Sequence, residues 1–585
     1  MKASREKPII YQLLPRLFTN YNPEPVPGGT LEQNGSGKLV QINDTILGEL
    51  RRMGVTHVWY TGVIEHAHTP DYTMYGIPRH NPHVIKGKAG SPYAITDYYD
   101  IDPDLAASVP GRMREFEELV ERTHRAGMKV IIDFVPNHVG RQYHSDSAPA
   151  GVEDLGKSDN HDMCFSPSNN FYYITRQQFA PAGVDMGRGA DAYVEFPARA
   201  SGDDCFTAFP GVNNWYDTVK LNYGFDYGDG SRHYDPEPPT WGKMIDILRF
   251  WASKGVDGFR CDMAHMVPVD FWRVAIPRVK EINPDIIFIA EIYDVSLYRQ
   301  YIYSAGFDYL YDKVNLYDSL RAIETASHSA ATLTSCWQTV DGIGGHMLNF
   351  LENHDEQRFA SEQYAGDAAR AVPSLIVSAM MSTGPFMIYA GQELGEKGDQ
   401  AEGYSGRDGR TTIFDYWSIP TLRRWLNHGT CDGHLTEGEK ALRDMYARVM
   451  RLCNEEPAIS RGKFFDLMYV NYDNPRFNPH RQYAFMRAEG NDVLVIMVNF
   501  DDTDVEVSVN VPEHAFDCFG IPRGFAVATD LLSGHDSLKA LSDELPFTTG
   551  IPAHGAVVWK IDSRSLTPAA SVSPARSPRT RQKQK

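Results

Sequence analysis

A chain of 585 residues is too long for one compact core and predicts about two to four domains. Its hydrophobic fraction of 42% and charged fraction of 23% exclude a disordered or fibrous chain. A formal net charge of -19 argues against nucleic acid as a partner, because a polyanion would be repelled.

The N-terminal segment and the cysteines bear on where the protein works. The first apolar run, 9–14, is too short for a secretory signal, and no segment approaches the ~20 apolar residues that cross a bilayer. The 7 cysteines show no CxxC pair or regular spacing, so neither a disulfide framework nor a zinc site is predicted. We therefore expect a cytoplasmic protein without a membrane partner.

From Lys7 to about Asn454, short apolar runs alternate with amphipathic stretches. A helical pattern over 112–120 is followed by Gly127 and by a buried-strand pattern that ends at Phe134. Repeated units of this kind predict a parallel sheet, and eight of them predict an α/β fold with a (β/α)8 TIM barrel. The candidate strands are 9–13, 57–60, 130–134, 258–262, 286–291, 307–310, 347–351 and 386–389.

Two regions interrupt this alternation and set the predicted domain boundaries. The stretch 139–222 is rich in Gly, Asp, Asn and Ser, which predicts a functional insertion (domain B) that divides the barrel into 1–138 and 223–456. Short alternating runs over 457–562 predict a C-terminal antiparallel β-sandwich (domain C). The segment 563–585 combines Pro, Ser, Arg and Lys and is interpreted as a disordered basic tail.

Polar side chains follow several of the predicted strands. Arg260 and Asp262 are two residues apart, so they share one face of their strand, and the arginine is expected to keep the carboxylate ionised. A structural ion pair would explain the same spacing. Glu291 follows a solid apolar run, where apolar surroundings can raise a carboxyl pKa as an acid/base requires. Asp133 and Asp355 end two further strands.

Such a group of carboxylates, histidines and one arginine predicts chemistry at the C-terminal end of the barrel. Two carboxylates that face a glycosidic bond, one ionised and one protonated, support double-displacement hydrolysis. Metal-assisted hydrolysis is the main rival. It is disfavoured because no His-x-His or Glu-x-x-His pair offers ligands at close spacing.

Four ordered motifs give the chain a resemblance to the α-amylase family of glycoside hydrolases (glycoside hydrolase family 13). As an ordered set they are specific, and the resemblance covers about Pro8 to Asp562. They are Asp-Phe-Val-Pro-Asn-His at 133–138, Gly-Phe-Arg-Cys-Asp at 258–262, Ile-Ala-Glu at 289–291 and Glu-Asn-His-Asp at 352–355.

The resemblance implies a role for each matching residue. Asp262 would be the catalytic nucleophile, Glu291 the general acid/base, and Asp355 the third carboxylate, which binds hydroxyls of the distorted sugar. Substrate-binding roles are implied for a further set: Tyr93, His138, Arg260, His265 and His354. Tyr93 would stack under the sugar, although a core aromatic fits the same position. The family's Lys-His pair after the second motif is absent, so His265 is equally well read as a structural histidine.

The resemblance also raises the question of calcium. Asn137 resembles a family calcium ligand, but Asn222, in Val219-Lys220-Leu221-Asn222, stands where the family has a carboxylate. Losing that charge weakens attraction for a hard cation. No cofactor is expected to be required, and a structural calcium ion is compatible with the pattern but not predicted.

The expected function is therefore retaining hydrolysis of α-1,4-glucosidic bonds in starch-like polysaccharides or maltooligosaccharides. An α-glucan or oligosaccharide is the expected partner. Transglycosylases, isomerases and sucrose-active enzymes of the same family remain alternatives, because specificity depends on variable loops. A non-catalytic sugar-binding relative is the alternative from another class.

Overall fold

The computed structural model describes residues 7–568, and its centre is a closed barrel of eight parallel strands. Each strand pairs with its neighbours in chain order, and the first closes the barrel against the eighth. This is the predicted (β/α)8 architecture. The barrel strands are Ile9–Leu13, His57–Tyr60, Lys129–Phe134, Gly258–Cys261, Ile287–Ala290, Tyr309–Tyr311, Met347–Phe350 and Phe386–Tyr389.

The predicted strands match the observed ones to within one or two residues at their ends, because their residues are buried on both faces. In a parallel barrel one face packs in the interior and the other against helices, so each strand is a continuous apolar run. The strands end sooner than predicted where catalytic candidates begin: Asp262 and Glu291 each follow the last paired residue.

Helices surround the barrel, and their ends follow from the local sequence. In the helix Asp44–Met53, the Asn43 side chain accepts a hydrogen bond from the Ile46 N–H, and Gly54 ends the helix with φ of 107°. The other barrel-associated helices of seven residues or more are Arg112–Arg125, Pro239–Ser253, Val269–Lys280, Asp318–Glu324, Thr332–Thr339, Val372–Met380, Pro420–Leu426 and Glu437–Glu455.

Two excursions leave the barrel on the side where its strands end. After the second strand, Ile64–His66 pairs antiparallel with Ile95–Ile101. After the third strand, His138–Gly140 pairs with Thr218–Lys220, and the chain between them contains the short pair Tyr173–Ile174 and Ala198–Arg199. The second excursion coincides with the stretch for which an inserted domain B is predicted.

The C-terminal region is antiparallel β-structure, as predicted. A two-stranded sheet, Val505–Val509 with Phe547–Ile551, accompanies the main one. The main sheet has six strands, which in spatial order are Lys463–Asp466, Gln482–Glu489, Asp492–Asn499, Gly555–Asp562, Gly524–Asp530 and Asp536–Leu541.

The first residues of the predicted disordered tail have a defined structure. Ser563–Ser565 form a 3-10 turn, and Thr567 bridges Phe525 of the main sheet. These first residues are therefore ordered, because Thr567 exchanges backbone hydrogen bonds with Phe525 in the strand Gly524–Asp530. The rest of the predicted tail, 569–585, lies outside the described residues. Within 7–568, no helix has both the length and the apolar character needed to span a membrane.

Candidate active site

Strand register brings the charged residues of the second and third motifs together. Arg260 lies opposite Asp133 on one neighbouring strand and opposite Ile289 on the other, and the strand pair ends at Cys261 and Ala290. Asp262 and Glu291 are the next residues on these adjacent strands. Their side chains therefore emerge side by side at the C-terminal end of the barrel.

Arg260 is fully buried and contacts both of these carboxylates with different nitrogens. Nη1 lies 2.7 Å from Asp262 Oδ1, and Nη2 lies 2.8 Å from Glu291 Oε1. Three rings surround the guanidinium at 5.3–5.5 Å from its central carbon: Trp59, Tyr93 and Tyr311. One buried cation thus holds two carboxylates close together in an aromatic enclosure.

The backbone turns sharply at Met263, directly after Asp262, and this turn directs an N–H group to Glu291. Met263 has φ of 43°, an uncommon conformation for a residue with a side chain, and its N–H donates to Glu291 Oε2 at 2.8 Å. The Tyr293 hydroxyl donates to the other oxygen, Oε1, at 2.6 Å. Each Glu291 oxygen therefore has a fixed contact, which orients the carboxyl group towards the cleft.

Burial raises the pKa of Asp262 and of Glu291, and Arg260 opposes the shift at both. For Glu291 the neighbouring negative charge of Asp262 adds to the increase, which is the direction that an acid/base needs. For Asp262 we expected the arginine to dominate. The net shift is upward instead, because loss of water around a fully buried carboxylate outweighs the single ion pair.

Asp355 joins the group from the end of the seventh strand. Its side chain is 39% exposed and lies 3.2 Å from His354 Nε2. Although part of the side chain is exposed, loss of water around the carboxyl inside the cleft, followed by the negative charge of Glu291, raises the pKa of Asp355. The three predicted carboxylates thus line one cleft, with Asp355 the most accessible to a ligand.

Tyr93 and His354 form a stacked pair beside the cleft. Their ring centroids are 5.3 Å apart, and the Tyr93 hydroxyl lies 2.5 Å from His354 Nε2. Gln12 Nε2 lies 2.7 Å from the other ring nitrogen, Nδ1. Burial and the charge of Arg260 hold the pKa of His354 well below its usual range, so the ring is neutral. Tyr93 lines the cleft, and His354 packs against its ring.

The cleft has a volume of about 300 Å³, and its walls come from several segments. His138 lines it with Nε2 4.0 Å from Asp262 Oδ2, and its ring packs against Trp215. The sequence analysis did not identify Trp215, Lys86, Asp217, Met263, Tyr293, Ile413 or Phe414, which also line the cleft. Most of these lie in irregular segments, which carry no periodic signal.

Of the predicted substrate contacts, Tyr93 and His138 line this cleft, and Arg260 and His354 contact residues that line it. His265 does not line it. It lies in the 3-10 turn Ala264–Met266 and lines a neighbouring cavity of about 190 Å³. Its ring centroid is 6.1 Å from that of Tyr293, which lines the carboxylate cleft. His265 Nδ1 is buried and has no hydrogen-bond partner among residues 7–568, so the substrate contact of His265 stays a prediction beside the structural interpretation.

The residues around Asn137 do not fit a calcium ion, because a lysine already supplies the positive charge. The buried Lys220 ammonium donates to Asn137 Oδ1, lies 2.7 Å from Asp204 Oδ1 and contacts the Met266 carbonyl at 3.3 Å. Asn222 faces elsewhere, donating to the Ser166 carbonyl. A divalent cation at Asn137 would be repelled by this ammonium. Lys220 belongs to the segment 219–222 that was compared with the calcium-ligand pattern of the family.

This arrangement suits acid–base and nucleophilic chemistry on a sugar. A buried carboxyl with a raised pKa can donate a proton, and a second carboxylate on the same guanidinium can attack the carbon that loses its leaving group. A third carboxylate at the open side can accept hydrogen bonds from hydroxyls. Tyr93 offers a flat ring beside them.

Comparisons with known proteins identify the family of the chain. The model of the α-amylase catalytic domain matches residues 12–191 and 236–416. A neopullulanase 2 from Thermoactinomyces vulgaris is 25% identical over 570 residues, covering 94% of this chain and 77% of that protein. The α-amylase MalA of Haloarcula japonica is 24% identical over 530 residues, and the match spans 89% of this chain but only 58% of that relative.

Among solved structures, the maltogenic α-amylase AmyB of Thermotoga neapolitana superimposes with a TM-score of 0.61 at 19% identity. The match covers 96% of this chain and 100% of that one, which shows a shared fold. The family model covers the second to eighth barrel strands, the end of the first strand, and the motifs that carry the three carboxylates. The chain therefore belongs to the α-amylase family and is a glycoside hydrolase.

Proposed function

We propose that this enzyme hydrolyses α-1,4-glucosidic bonds in starch-like polysaccharides or maltooligosaccharides by double displacement, with retention of configuration. The observation that carries the proposal is the contact of one guanidinium, Arg260, with both Asp262 and Glu291. Two carboxyl groups held this close favour covalent catalysis, since the inverting mechanism needs room for a water molecule between them.

In the proposed first step, Asp262 attacks the anomeric carbon while Glu291 protonates the departing glycosidic oxygen. The bond between that oxygen and the anomeric carbon breaks as an ester bond to Asp262 forms. In the second step, Glu291 takes a proton from water, and the water oxygen displaces Asp262. Two inversions give net retention. The cycle uses only side chains of this chain, so the proposal needs no cofactor.

The remaining residues would bind the sugar that is attacked. Asp355, the most exposed of the three carboxylates, is placed to accept hydrogen bonds from sugar hydroxyls. Tyr93 would stack against the ring, and His138 would donate a hydrogen bond from Nε2. The names of the relatives, α-amylase and neopullulanase, support an α-glucan as the substrate class.

The test is a time course of products from maltoheptaose, soluble starch, pullulan and sucrose, with Asp262→Asn as the blank. Shorter maltooligosaccharides that are absent from the blank support the proposal. Products longer than the substrate, isomerised disaccharides or cleavage of sucrose alone would overturn hydrolysis in favour of transfer, isomerisation or sucrose use. Binding without turnover would favour a sugar-binding protein.

The stereochemistry has its own measurement. Proton NMR of the first minutes of hydrolysis should show the α-anomer of the new reducing end before mutarotation. An early β-anomer would refute the retaining mechanism whatever the substrate.

A further inference from the structure

An acidic cluster lies apart from the catalytic candidates, on the two excursions that leave the barrel. Glu65 belongs to the strand Ile64–His66, Asp100 to Ile95–Ile101, and Asp146 to the inserted segment. One carboxylate oxygen of each lies within 4.8 Å of the other two. Three separate parts of the chain therefore converge with negatively charged groups.

Glu65 is the most telling member, because it is buried without adequate partners. Its exposure is 0%, and Oε2 has no hydrogen-bond partner among residues 7–568. Oε1 has only the Thr96 hydroxyl at 3.5 Å. A buried ionised carboxylate in such surroundings is strongly disfavoured unless a proton or a cation compensates it.

The neighbours do not supply that compensation. Arg112 forms an ion pair with Asp100, but within the described residues no ion pair joins Glu65 or Asp146 to a basic side chain. Asp97, also buried, adds a further negative charge and accepts hydrogen bonds from the Asp146 N–H and other neutral donors. Burial and the surrounding carboxylates raise the pKa of Glu65 to about 10, which reflects this excess of negative charge.

We propose that Glu65, Asp100 and Asp146 bind a calcium ion that ties the two excursions together. The three oxygens lie within 4.8 Å of one another, so a single cation can contact all of them. Calcium fits such a site because it accepts several oxygen ligands in flexible geometry, whereas magnesium demands near-ideal octahedral geometry and keeps several of its waters. Asp146 is exposed, which leaves an approach for the ion and its waters.

This site differs from the position beside Asn137, where Lys220 already provides a cation. Its effect would be structural. The ion would hold the strand Ile64–His66 and the beginning of the inserted segment on the hairpin partner Ile95–Ile101. His144, two residues from Asp146, already donates its backbone N–H to the Thr96 carbonyl at 3.0 Å, so the ion would strengthen an existing junction.

The test uses the full chain after dialysis against a chelator. Calorimetric titration with CaCl2 should show one site with a Kd of about 1 mM or tighter, and thermal unfolding should shift upward by about 2 °C or more at saturation. MgCl2 should bind at least tenfold more weakly. A wild-type chain that shows neither heat nor a Tm shift with CaCl2 would overturn the proposal and favour a protonated Glu65.

Variants locate the site. Glu65→Gln should abolish the response to calcium while leaving the metal-free Tm unchanged or higher, because it removes a buried charge. Asp146→Asn, at an exposed position, should fold and weaken calcium binding at least tenfold. The exposed Glu118→Gln is the matched control and should bind as wild type does. Unchanged calcium affinity in both Glu65→Gln and Asp146→Asn would place the ion elsewhere and refute the proposal.

Discussion

Arg260 Nη2 lies 2.8 Å from Glu291 Oε1 without the alignment of a hydrogen bond, so the two residues form an ion pair only. The hydrogen bonds of Glu291 come from Met263 and Tyr293 instead. Arg260 therefore affects the pKa of Glu291 through its positive charge and not through a hydrogen bond. This suits a group that must give up a proton and take it back.

Arg260→Lys should reduce kcat/KM by about 10²–10³-fold, because an ammonium group cannot reach both Asp262 and Glu291 as the planar guanidinium does. The measurement is steady-state kinetics on maltoheptaose. Arg273→Lys, an exposed surface arginine, is the control and should behave as wild type. Wild-type kinetics in Arg260→Lys would contradict the bridging role.

The pH dependence of kcat/KM should be bell-shaped and displaced above the usual carboxyl range. Asp262 must be ionised, so activity falls as the pH drops through its raised pKa. Glu291 must be protonated, so activity falls as the pH rises through its own raised pKa. In Arg260→Lys both limbs should move upward if the ammonium neutralises the carboxylates less well.

The basic limb can be assigned with a variant. Glu291→Gln should lower kcat/KM by about 10²–10⁴-fold and remove the basic limb from the residual activity. A basic limb that persists unchanged in Glu291→Gln would mean that another group is the acid.

Tyr93 should act through its ring more than through its hydroxyl. Tyr93→Phe keeps the stacked contact with His354 and should lower kcat/KM by no more than about tenfold, the cost of one hydrogen bond. Tyr93→Ala removes the stacking surface and should reduce kcat/KM by about 10²-fold, chiefly through lost sugar contact. Equal losses in the two variants would show that the hydroxyl is the important part.

Lys220 should contribute to stability as a built-in cation. Lys220→Met leaves Asn137 Oδ1 without its charged donor and should lower the free energy of unfolding by about 1.5–3 kcal/mol. The deficit relative to wild type should be the same with and without CaCl2, measured by denaturant unfolding. The exposed Lys440→Met is the control. Calcium that restores the lost stability would show that the Asn137 position accepts the ion after all.

The sequence predicted the barrel accurately because each strand carries its own signal. The run 286–290 is apolar since both faces of the strand Ile287–Ala290 are buried, and this holds wherever the strand sits in space. The proximity of the three carboxylates was predictable for a related reason: each follows such a strand, parallel strand ends meet at one edge, and all three line one cleft.

The walls of the cleft were not predictable in this way. Trp215 and Lys86 lie in irregular segments distant in sequence from the carboxylates, and only folding brings them to the cleft. The position of His265 was not predictable either: the turn Ala264–Met266 places it in a cavity beside the carboxylate cleft.

What the sequence alone determined is therefore the architecture and the strand ends at which acidic residues stand, because periodicity and strand ends are local properties. Only the tertiary structure decided the pKa shifts of those groups and the charges that lie beside them. The net upward shift in the pKa of Asp262 depends on its burial, and the charge beside Asn137 comes from Lys220, 83 residues along the chain. Desolvation and ion pairing between distant residues are sums over neighbours in space, and no stretch of sequence records them.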